Sequence, residues 1–236
     1  ELREDLERRG VLRNPLVVDE TTNVVLDGMH RRRALSDLGL EYAPVCRIDY
    51  ADPVIEVGTW TKRFDPAAAA VVAEAPVEWH AVVEAGAPSN EVPERPVLVV
   101  EGTRYELDVT LDALEHYSAT LERLEAAFRN RGFVPTLIPD TTAVGSETVY
   151  LRQPRPSKAT VVRAATERIM LPANASRHVV PYRPVGVDVP LEFLDGPLNR
   201  ANRRLVDHLE DRRPDSHTGP GLATDRAYDE TVVDFS

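Results

Sequence analysis

Residues 26–31 read Leu26-Asp27-Gly28-Met29-His30-Arg31. An apolar run precedes this stretch and a helix-forming run follows it, which predicts the junction of a strand and a helix. Glycine at such a junction lets the backbone bend tightly and approach a ligand closely. The helix start offers free N–H groups and the positive end of the helix dipole, so the pattern predicts an anion site.

The charged side chains of this junction allow two interpretations. In the functional one, His30 and Arg31 donate to nucleotide phosphates, while the Asp27 carboxylate holds Mg²⁺ or accepts a proton. In the other, the junction is an ordinary turn in which Asp27 caps the helix and His30 and Arg31 lie on the surface. The pattern is short, so the residues alone leave both open.

The segments around this junction predict an α+β fold. Residues 1–10 indicate the end of a helix, and four strands are expected at 15–18, 23–26, 44–48 and 54–57, with a helix at 31–38. Farther along, the apolar runs 97–100 and 105–107 flank the turn signal Glu101-Gly102-Thr103, which predicts a hairpin. A long helix over 111–128, strands at 134–138 and 148–151, and a helix capped by Ser157 complete the second half.

Composition divides the chain into three predicted parts. Residues 1–62 form the first unit and residues 63–195 a second α/β unit, joined by an Ala-rich and Pro-rich stretch. Residues 196–236 are expected to form a helix followed by a polar, flexible tail.

Charge and cysteine content limit the classes of function. The net charge is −11, which disfavours DNA as a partner, and Lys62 and Lys158 are the only lysines. This lysine-poor acidic composition fits either adaptation to high salt, with a fold stabilised by screening, or a GC-rich genome. The single cysteine, Cys46, cannot form an internal disulfide, and neither a signal peptide nor an apolar run long enough for a membrane helix is found. We therefore expect a cytoplasmic protein.

The motifs in this order resemble the ParB/sulfiredoxin superfamily. The matching residues are Val17-Val18-Asp19, Asp27–Arg31, Ala34-Leu35, Leu38-Gly39 and Pro44-Val45. Sulfiredoxins need a catalytic cysteine where this chain has Met29, whose thioether cannot serve as a thiolate. ParB proteins carry a Gly-Glu-Arg-Arg type of box and a helix-turn-helix DNA reader, which this sequence does not show. The free serine kinases use Asp-Gly-x-His-Arg, as here.

Three further segments are similar to the free serine kinases. They are Asp49-Tyr50 with Thr59-Trp60, Tyr150-Leu-Arg152 before Pro156, and Ser176-Arg177-His178-Val-Val-Pro181-Tyr182. The last is similar to the family's Thr-Arg-His-Val-Leu-Pro-Phe, with Ser176 in place of threonine. The resemblance runs from about Glu1 to Leu194.

The resemblance implies phosphoryl transfer from ADP or ATP, with Mg²⁺, to the hydroxyl of free L-serine. It implies catalytic roles for Asp27 and His30, with Asp27 as metal ligand, and it implies that residues 28–31 bind the nucleotide, namely Gly28, Met29, His30 and Arg31. Trp60, Ser176, Arg177 and His178 are the expected serine-binding residues. The family's general base, a glutamate before the first helix, would lie upstream of Glu1. The alternatives are a ParB-like DNA partner and a nucleotide-binding regulator without turnover.

Overall fold

The computed structural model describes residues 2–72, 77–82, 92–145, 149–218 and 230–236. The α-helices within these residues are α1 (Leu2–Arg9), α2 (Met29–Asp37), α3 (Ala69–Val72), α4 (Leu114–Asn130), α5 (Lys158–Thr166) and α6 (Leu198–Glu210). Short 3₁₀ helices span Pro66–Ala68 and Leu191–Phe193.

The strands of the first half are β1 (Val11–Leu12), β2 (Leu16–Asp19), β3 (Val25–Asp27), β4 (Val45–Ile48), β5 (Glu56–Gly58), β6 (Trp60–Phe64), β7 (Trp79–Val82), β8 (Val97–Val100) and β9 (Thr103–Leu107). Those of the second half are β10 (Thr136–Pro139), β11 (Val149–Arg152), β12 (Arg177–Val179), β13 (Tyr182–Val185), β14 (Val189–Pro190), β15 (Asp215–Thr218) and β16 (Thr231–Asp234). This mixture of helices and strands confirms the predicted α+β class.

The chain forms two compact units. Unit 1 consists of Glu1–Glu56 together with Val179–Ser236, and unit 2 consists of Val57–His178. The division proposed from composition, at 62/63 and 195/196, followed the chain from end to end. A division that follows chain order cannot place residues 179–236 in the same unit as residues 1–56.

Unit 1 carries the strand–helix junction on a small mixed sheet. β2 lies between β3, to which it is antiparallel, and β4, to which it is parallel, and α2 connects β3 to β4. Apolar side chains from both ends of the chain pack together in the core of this unit. They are Leu6, Leu12, Ala34, Leu35, Val187, Val189 and Leu194. The C-terminal segment is thus part of the core that supports α2.

The prediction of a flexible tail is wrong for residues 211–218 and 230–236, whereas residues 219–229 lie outside the described part of the chain. Residues 198–210 form the expected helix α6, but β15 and β16 follow it, with β16 between β13 and β15 in a three-stranded sheet. Val232 is fully buried, and Glu230 and Asp234 are buried as well. The polar sequence did not indicate a strand here because β15 is an exposed edge strand. Such a strand pairs through its backbone and needs no apolar side chains.

Unit 2 is an antiparallel sheet covered on one face by α4. The strand order is β10-β6-β11-β8-β9-β7. The buried side chains of α4 include Tyr117, Leu121, Leu124 and Phe128, and the Phe128 ring stacks on Phe64 with centroids 4.2 Å apart. The apolar residues whose helical spacing predicted this helix are therefore the residues that form its buried face.

Two local signals are confirmed in this unit. β8 and β9 form the predicted hairpin, with Glu101 and Gly102 both at positive φ in the turn, as a two-residue hairpin loop requires. The Ser157 side chain accepts a hydrogen bond from the N–H of Thr160 at 3.0 Å and caps α5.

A buried ion pair ties three parts of unit 2 together. Lys62 on β6 is almost fully buried, pairs with Glu125 of α4 and donates to the carbonyl of Ala173 at 2.8 Å. Burial lowers the pKa of Lys62, and the Glu125 carboxylate opposes that shift. The carbonyl lies three residues before Ser176, so Lys62 anchors the segment that leads into the predicted serine-binding residues.

None of the helices in the described part of the chain is long and apolar enough to cross a membrane.

The buried carboxyl of Asp19 should make the stability of unit 1 depend on pH. Burial opposes ionisation of this carboxyl, but hydrogen bonds from Thr22 and from the N–H of Tyr50 outweigh it, so the pKa of Asp19 lies below its usual 3.8. Because the pKa of Asp19 is lower in the folded state than in the unfolded state, ionised Asp19 stabilises the fold at pH values above the unfolded-state pKa. This stabilisation is lost as the pH falls through the folded-state pKa. We expect Asp19→Asn to lower the free energy of unfolding by about 1–3 kcal/mol at pH 7.

The measurement is urea denaturation of both proteins at pH 7 and at steps from about pH 5 to 3. The difference between them should shrink in the acid range, because the wild-type carboxylate is then protonated. A difference that is constant with pH would contradict the role of the ionised carboxylate.

Candidate functional site

Gly28 brings a strand and a helix into close approach. It is the N-cap of α2, and its φ of 97° lies in the left-handed region. A Cβ added here would lie 2.6 Å from Cδ2 of Leu16 and 3.0 Å from Cζ of Arg31, and the positive φ would strain any other residue. The N-cap is therefore the glycine, which rules out the interpretation of Asp27 as an ordinary helix cap.

Asp27, the last residue of β3, lies in a chain of charges. Its Oδ2 accepts a hydrogen bond from Nη1 of Arg183 at 2.9 Å and lies 3.2 Å from Nη2 of Arg31. Nε of Arg183 donates to Oε1 of Glu230 at 2.8 Å, and both of these residues are buried. We call Glu230, Arg183, Asp27 and Arg31 the charge chain; it holds the Asp27 carboxylate in one position.

Arg31 has a structural role that the sequence did not predict. Its Nη1 donates to the carbonyls of Asn14 and Pro15 at 2.8 and 2.6 Å, which fastens the segment before β2 to α2. The guanidinium is therefore already engaged on two sides, by carbonyl groups and by Asp27.

The first turn of α2 presents the other predicted nucleotide-binding residues. His30 is exposed there and Met29 is half-buried. The first intrahelical bond runs from the N–H of Arg32 to the carbonyl of Gly28 at 2.8 Å. The preceding N–H groups have no partner inside the helix, which leaves an anion site at its N-terminus with His30 beside it.

The surroundings of Asp27 do not fit the predicted role of metal ligand. Its Oδ2 faces two guanidinium groups, and these positive charges repel a divalent cation. Across the described ranges, no group of three or more His, Cys, Asp or Glu side chains is placed to hold a metal ion. Mg²⁺ in phosphoryl-transfer sites is usually held by one or two carboxylates together with substrate phosphates and waters, so its binding here would depend on the nucleotide.

Cys46 on β4 is half-buried, and burial raises the pKa of its thiol, against the opposing effect of the Arg183 charge. A thiol with a raised pKa is less ionised at neutral pH.

In unit 2 the structure brings together two of the predicted serine-binding residues. Trp60 and Arg177 are both buried, and Cζ of Arg177 lies 5.3 Å from the centroid of the Trp60 ring. His178 follows Arg177 on β12 and is buried, whereas Ser176 is half-buried just before the strand. The cation–π contact fixes the guanidinium plane against the ring.

A buried carboxylate next to Trp60 was missed by the sequence analysis. Asp140 follows β10, where Pro139 pairs with Trp60, and its Oδ2 accepts from the N–H of Thr59 at 3.3 Å and from Nε of Arg155 at 2.5 Å. Thr59 is 81 residues away in the chain, so no local pattern could have indicated this contact.

The predicted site residues thus form two groups. Residues 27–31 belong to unit 1, and Trp60 with residues 176–178 belongs to unit 2. The first group has the geometry of an anion site at a helix N-terminus. The second combines a guanidinium, an aromatic ring and a nearby carboxylate.

The mixed helices and strands, with the strand–helix junction at Gly28, make the chain an α+β protein. Over 82% of its length, and 82% of the relative's, the chain is 23% identical to the ATP-dependent L-serine kinase of Staphylothermus marinus. Over 52 residues it is 40% identical to a ParB-like protein of Sulfolobus acidocaldarius, covering 26% of that protein. No protein-family model matches the chain.

Solved structures share the fold. A free serine kinase in complex with AMP superposes with a TM-score of 0.58 at 21% identity, covering 82% of this chain and 84% of that one. SbnI with a C-terminal truncation, from Staphylococcus aureus, gives a TM-score of 0.57 at 19% identity and covers 89% and 86%. The resemblance to the free serine kinases inferred from the motifs is confirmed.

Proposed function

We propose that the protein is a kinase that transfers a phosphoryl group from a nucleotide to the hydroxyl of free L-serine, giving O-phospho-L-serine. The observation that carries this proposal is the similarity to an L-serine kinase over 82% of both chains. The Asp27-Gly28-x-His30-Arg31 motif at the β3–α2 junction supports it, because that junction has the geometry of a phosphate site.

The nucleotide phosphates bind at the N-terminus of α2. The free N–H groups of the first turn point at the anion, and the exposed His30 adds a donor beside them. Gly28 keeps the backbone clear of side chains at this point. Arg31 contributes mainly by holding α2 against the segment before β2, through its bonds to Asn14 and Pro15.

Serine binds against Trp60 and Arg177. The guanidinium of Arg177 is a fork that matches a carboxylate, and its position over the Trp60 ring orients it. Ser176 and His178, the neighbours of Arg177 in the chain, offer a hydroxyl and an imidazole. Positioning of this kind is a large part of what phosphoryl transfer requires of a protein.

In the reaction, the serine hydroxyl oxygen forms a bond to the terminal phosphorus. The bond from that phosphorus to the bridging oxygen breaks, and the shortened nucleotide leaves with the electron pair. The hydroxyl proton passes to a general base, and the resemblance implies a glutamate in that role. Asp27, held by Arg183 and Arg31, carries a fixed negative charge at the end of β3, beside the N-terminus of α2.

The donor is ADP or ATP, and a metal ion arrives with it. The S. marinus relative is described as ATP-dependent, whereas a glutamate-to-alanine variant of the free serine kinase has been solved with ADP. Mg²⁺ would enter as part of the metal–nucleotide substrate, since the charge chain gives it no resident site.

The test is direct. The protein is incubated with L-serine, Mg²⁺ and either ATP or ADP, and phosphoserine is measured by ³¹P NMR and mass spectrometry. We expect phosphoserine with at least one donor and none without serine. A protein that binds nucleotide but forms no phosphoserine with either donor would contradict the kinase function.

Arg177→Ala tests the serine end of the site. A charge-assisted contact contributes about 1.5–3 kcal/mol, so the apparent affinity for serine should fall roughly ten- to a hundredfold. Nucleotide affinity should change far less, because the phosphates bind at α2. Both affinities are measured by calorimetry, with Arg123→Ala on the exposed face of α4 as the control arginine. An unchanged serine affinity would place the serine site elsewhere, and a matching loss of nucleotide affinity would place Arg177 on the donor.

The local similarity to a ParB-like protein favours a second candidate, a nucleotide-dependent DNA-binding or regulatory protein without turnover. The net charge of −11 opposes DNA binding. A gel shift at low salt that disappears at high salt, together with an absence of phosphoserine, would favour this candidate.

A further inference from the structure

Lys62 is a charged side chain in the core of unit 2 that the reaction described above does not use. It is almost fully buried, whereas the other lysine of the chain, Lys158, lies at the start of α5. An ammonium group is costly to bury unless it is paired and hydrogen-bonded, so a buried lysine indicates specific partners. The two partners of Lys62 show what it holds in place.

The ammonium group joins α4 to the segment before β12. Nζ of Lys62 pairs with Oε1 of Glu125 on α4, and the side chain of Glu125 is only 13% exposed. The same Nζ donates to the carbonyl of Ala173 at 2.8 Å. A lysine ammonium can serve both acceptors, because its three N–H donors point in different directions from one nitrogen.

The carbonyl that Lys62 holds belongs to a turn that leads into the predicted serine-binding residues. The N–H of Ala175 donates to the carbonyl of Pro172 at 3.1 Å, which closes the turn. Arg177 follows two residues later and begins β12, which pairs with β5. The segment from the turn to β12 is therefore fastened at both ends, by Lys62 at the turn and by β5 along β12.

Strand β6 carries both Lys62 and the aromatic ring on which Arg177 lies. Trp60 and Lys62 are two residues apart, so their side chains share one face of the strand. Cζ of Arg177 lies 5.3 Å from the centroid of the Trp60 ring. Because a strand keeps two such positions at a nearly fixed distance, the bond from Lys62 to Ala173 helps to set where Arg177 lies relative to the ring.

We propose that Lys62 is a positioning residue for serine binding, which acts through the Ala173 carbonyl to hold Arg177 over Trp60. The inference rests on the proposed function, because that function assigns Arg177 to the serine carboxylate. A guanidinium that is held in place before the ligand arrives binds more tightly than one that binding must first order. Loss of the Lys62 donor should therefore weaken serine binding and leave nucleotide binding at α2 unchanged.

The test separates the bond to Ala173 from the ion pair with Glu125. Lys62→Met combined with Glu125→Leu removes both charges and keeps the site apolar, a replacement that is often neutral for stability. It also takes away the Lys62 donor to Ala173, so the affinity for L-serine should fall about tenfold, with nucleotide affinity unchanged. Calorimetry measures both affinities, and thermal denaturation measures the fold. Lys62→Met combined with Glu125→Gln takes the place of this variant if it does not fold.

Two controls show whether Lys62 acts through the turn and through Arg177. Glu125→Gln removes the ion pair, but Lys62 still has an N–H for the Ala173 carbonyl whether or not its amine is protonated. Affinity for L-serine should then stay within about threefold of the wild-type value. In an Arg177→Ala background the loss caused by the double variant should disappear, because the group that Lys62 positions is already gone.

Each outcome decides the inference. A loss of L-serine affinity in the folded double variant that is absent from Glu125→Gln and from the Arg177→Ala background would support it. Normal L-serine binding by the double variant, an equal loss of nucleotide affinity, or a loss as large in Glu125→Gln or in the Arg177→Ala background would overturn it. A wild-type protein that binds no L-serine would overturn it as well. Binding of L-serine that depends on Lys62, without formation of phosphoserine, would support the positioning role and reject the kinase function.

Discussion

Asp27→Asn is expected to lower the turnover of L-serine at least about a hundredfold, the low end for a residue with an acid–base or charge-positioning role. Asparagine keeps the shape of the side chain and removes its charge. Arg31 and Arg183 would then face a neutral amide, and the fixed negative charge at the end of β3 would be lost. The measurement is the steady-state rate of phosphoserine formation at saturating serine and nucleotide.

The matched control is Asp37→Asn, which makes the same change on α2. Asp37 pairs only with the exposed Arg33 in the described structure, so its loss should leave turnover close to normal. Thermal denaturation of both variants separates a loss of rate from a loss of fold. Near-normal turnover in Asp27→Asn would remove this residue from the mechanism.

Arg183→Met is expected to lower the free energy of unfolding by about 3–5 kcal/mol, the usual cost of removing one partner from a buried ion pair. Arg183 links Asp27 to Glu230, and the side chain of Glu230 is 2% exposed. The substitution takes away the cation that both carboxylates face while it keeps most of the apolar stem. Urea denaturation measures the change.

The comparison variants are Arg183→Met combined with Glu230→Gln, and Arg95→Met. The double variant should recover part of the lost stability, because it no longer buries the Glu230 charge beside a methionine. Arg95 pairs with Asp108 on the surface, so its loss should cost less than about 1 kcal/mol. If Arg183→Met were no more destabilising than Arg95→Met, the charge chain would have no role in holding the fold.

The parts of the fold that the sequence predicted have local causes. The β8–β9 hairpin follows from two residues that accept positive φ between apolar runs, and the start of α5 follows from one hydroxyl that accepts from an N–H three residues on. The junction at Gly28 was recognised for the same reason. Within such short stretches the residues that interact are neighbours in the chain.

The parts that could not be predicted depend on contacts between distant residues. Asp27 and Arg183 are 156 residues apart, and Asp140 and Thr59 are 81 apart. Neither pair leaves a pattern in its own neighbourhood, so the sequence indicated neither the Arg183 partner of Asp27 nor the buried position of Asp140. β15 was missed because an edge strand pairs through its backbone whatever its side chains are.

The division of the chain into units has a consequence for biosynthesis. Residues 57–178 of unit 2 are continuous, whereas unit 1 is assembled from residues 1–56 and 179–236. A ribosome therefore delivers all of unit 2 while unit 1 still lacks Val187, Val189 and the Arg183 partner of Asp27. Since chains fold from the N-terminus as they emerge, we expect the inserted unit to reach its native state first. The β3–α2 junction is synthesised early. Its Asp27 would nevertheless pair with Arg183, and Arg183 with Glu230, only after the C-terminal residues have left the ribosome.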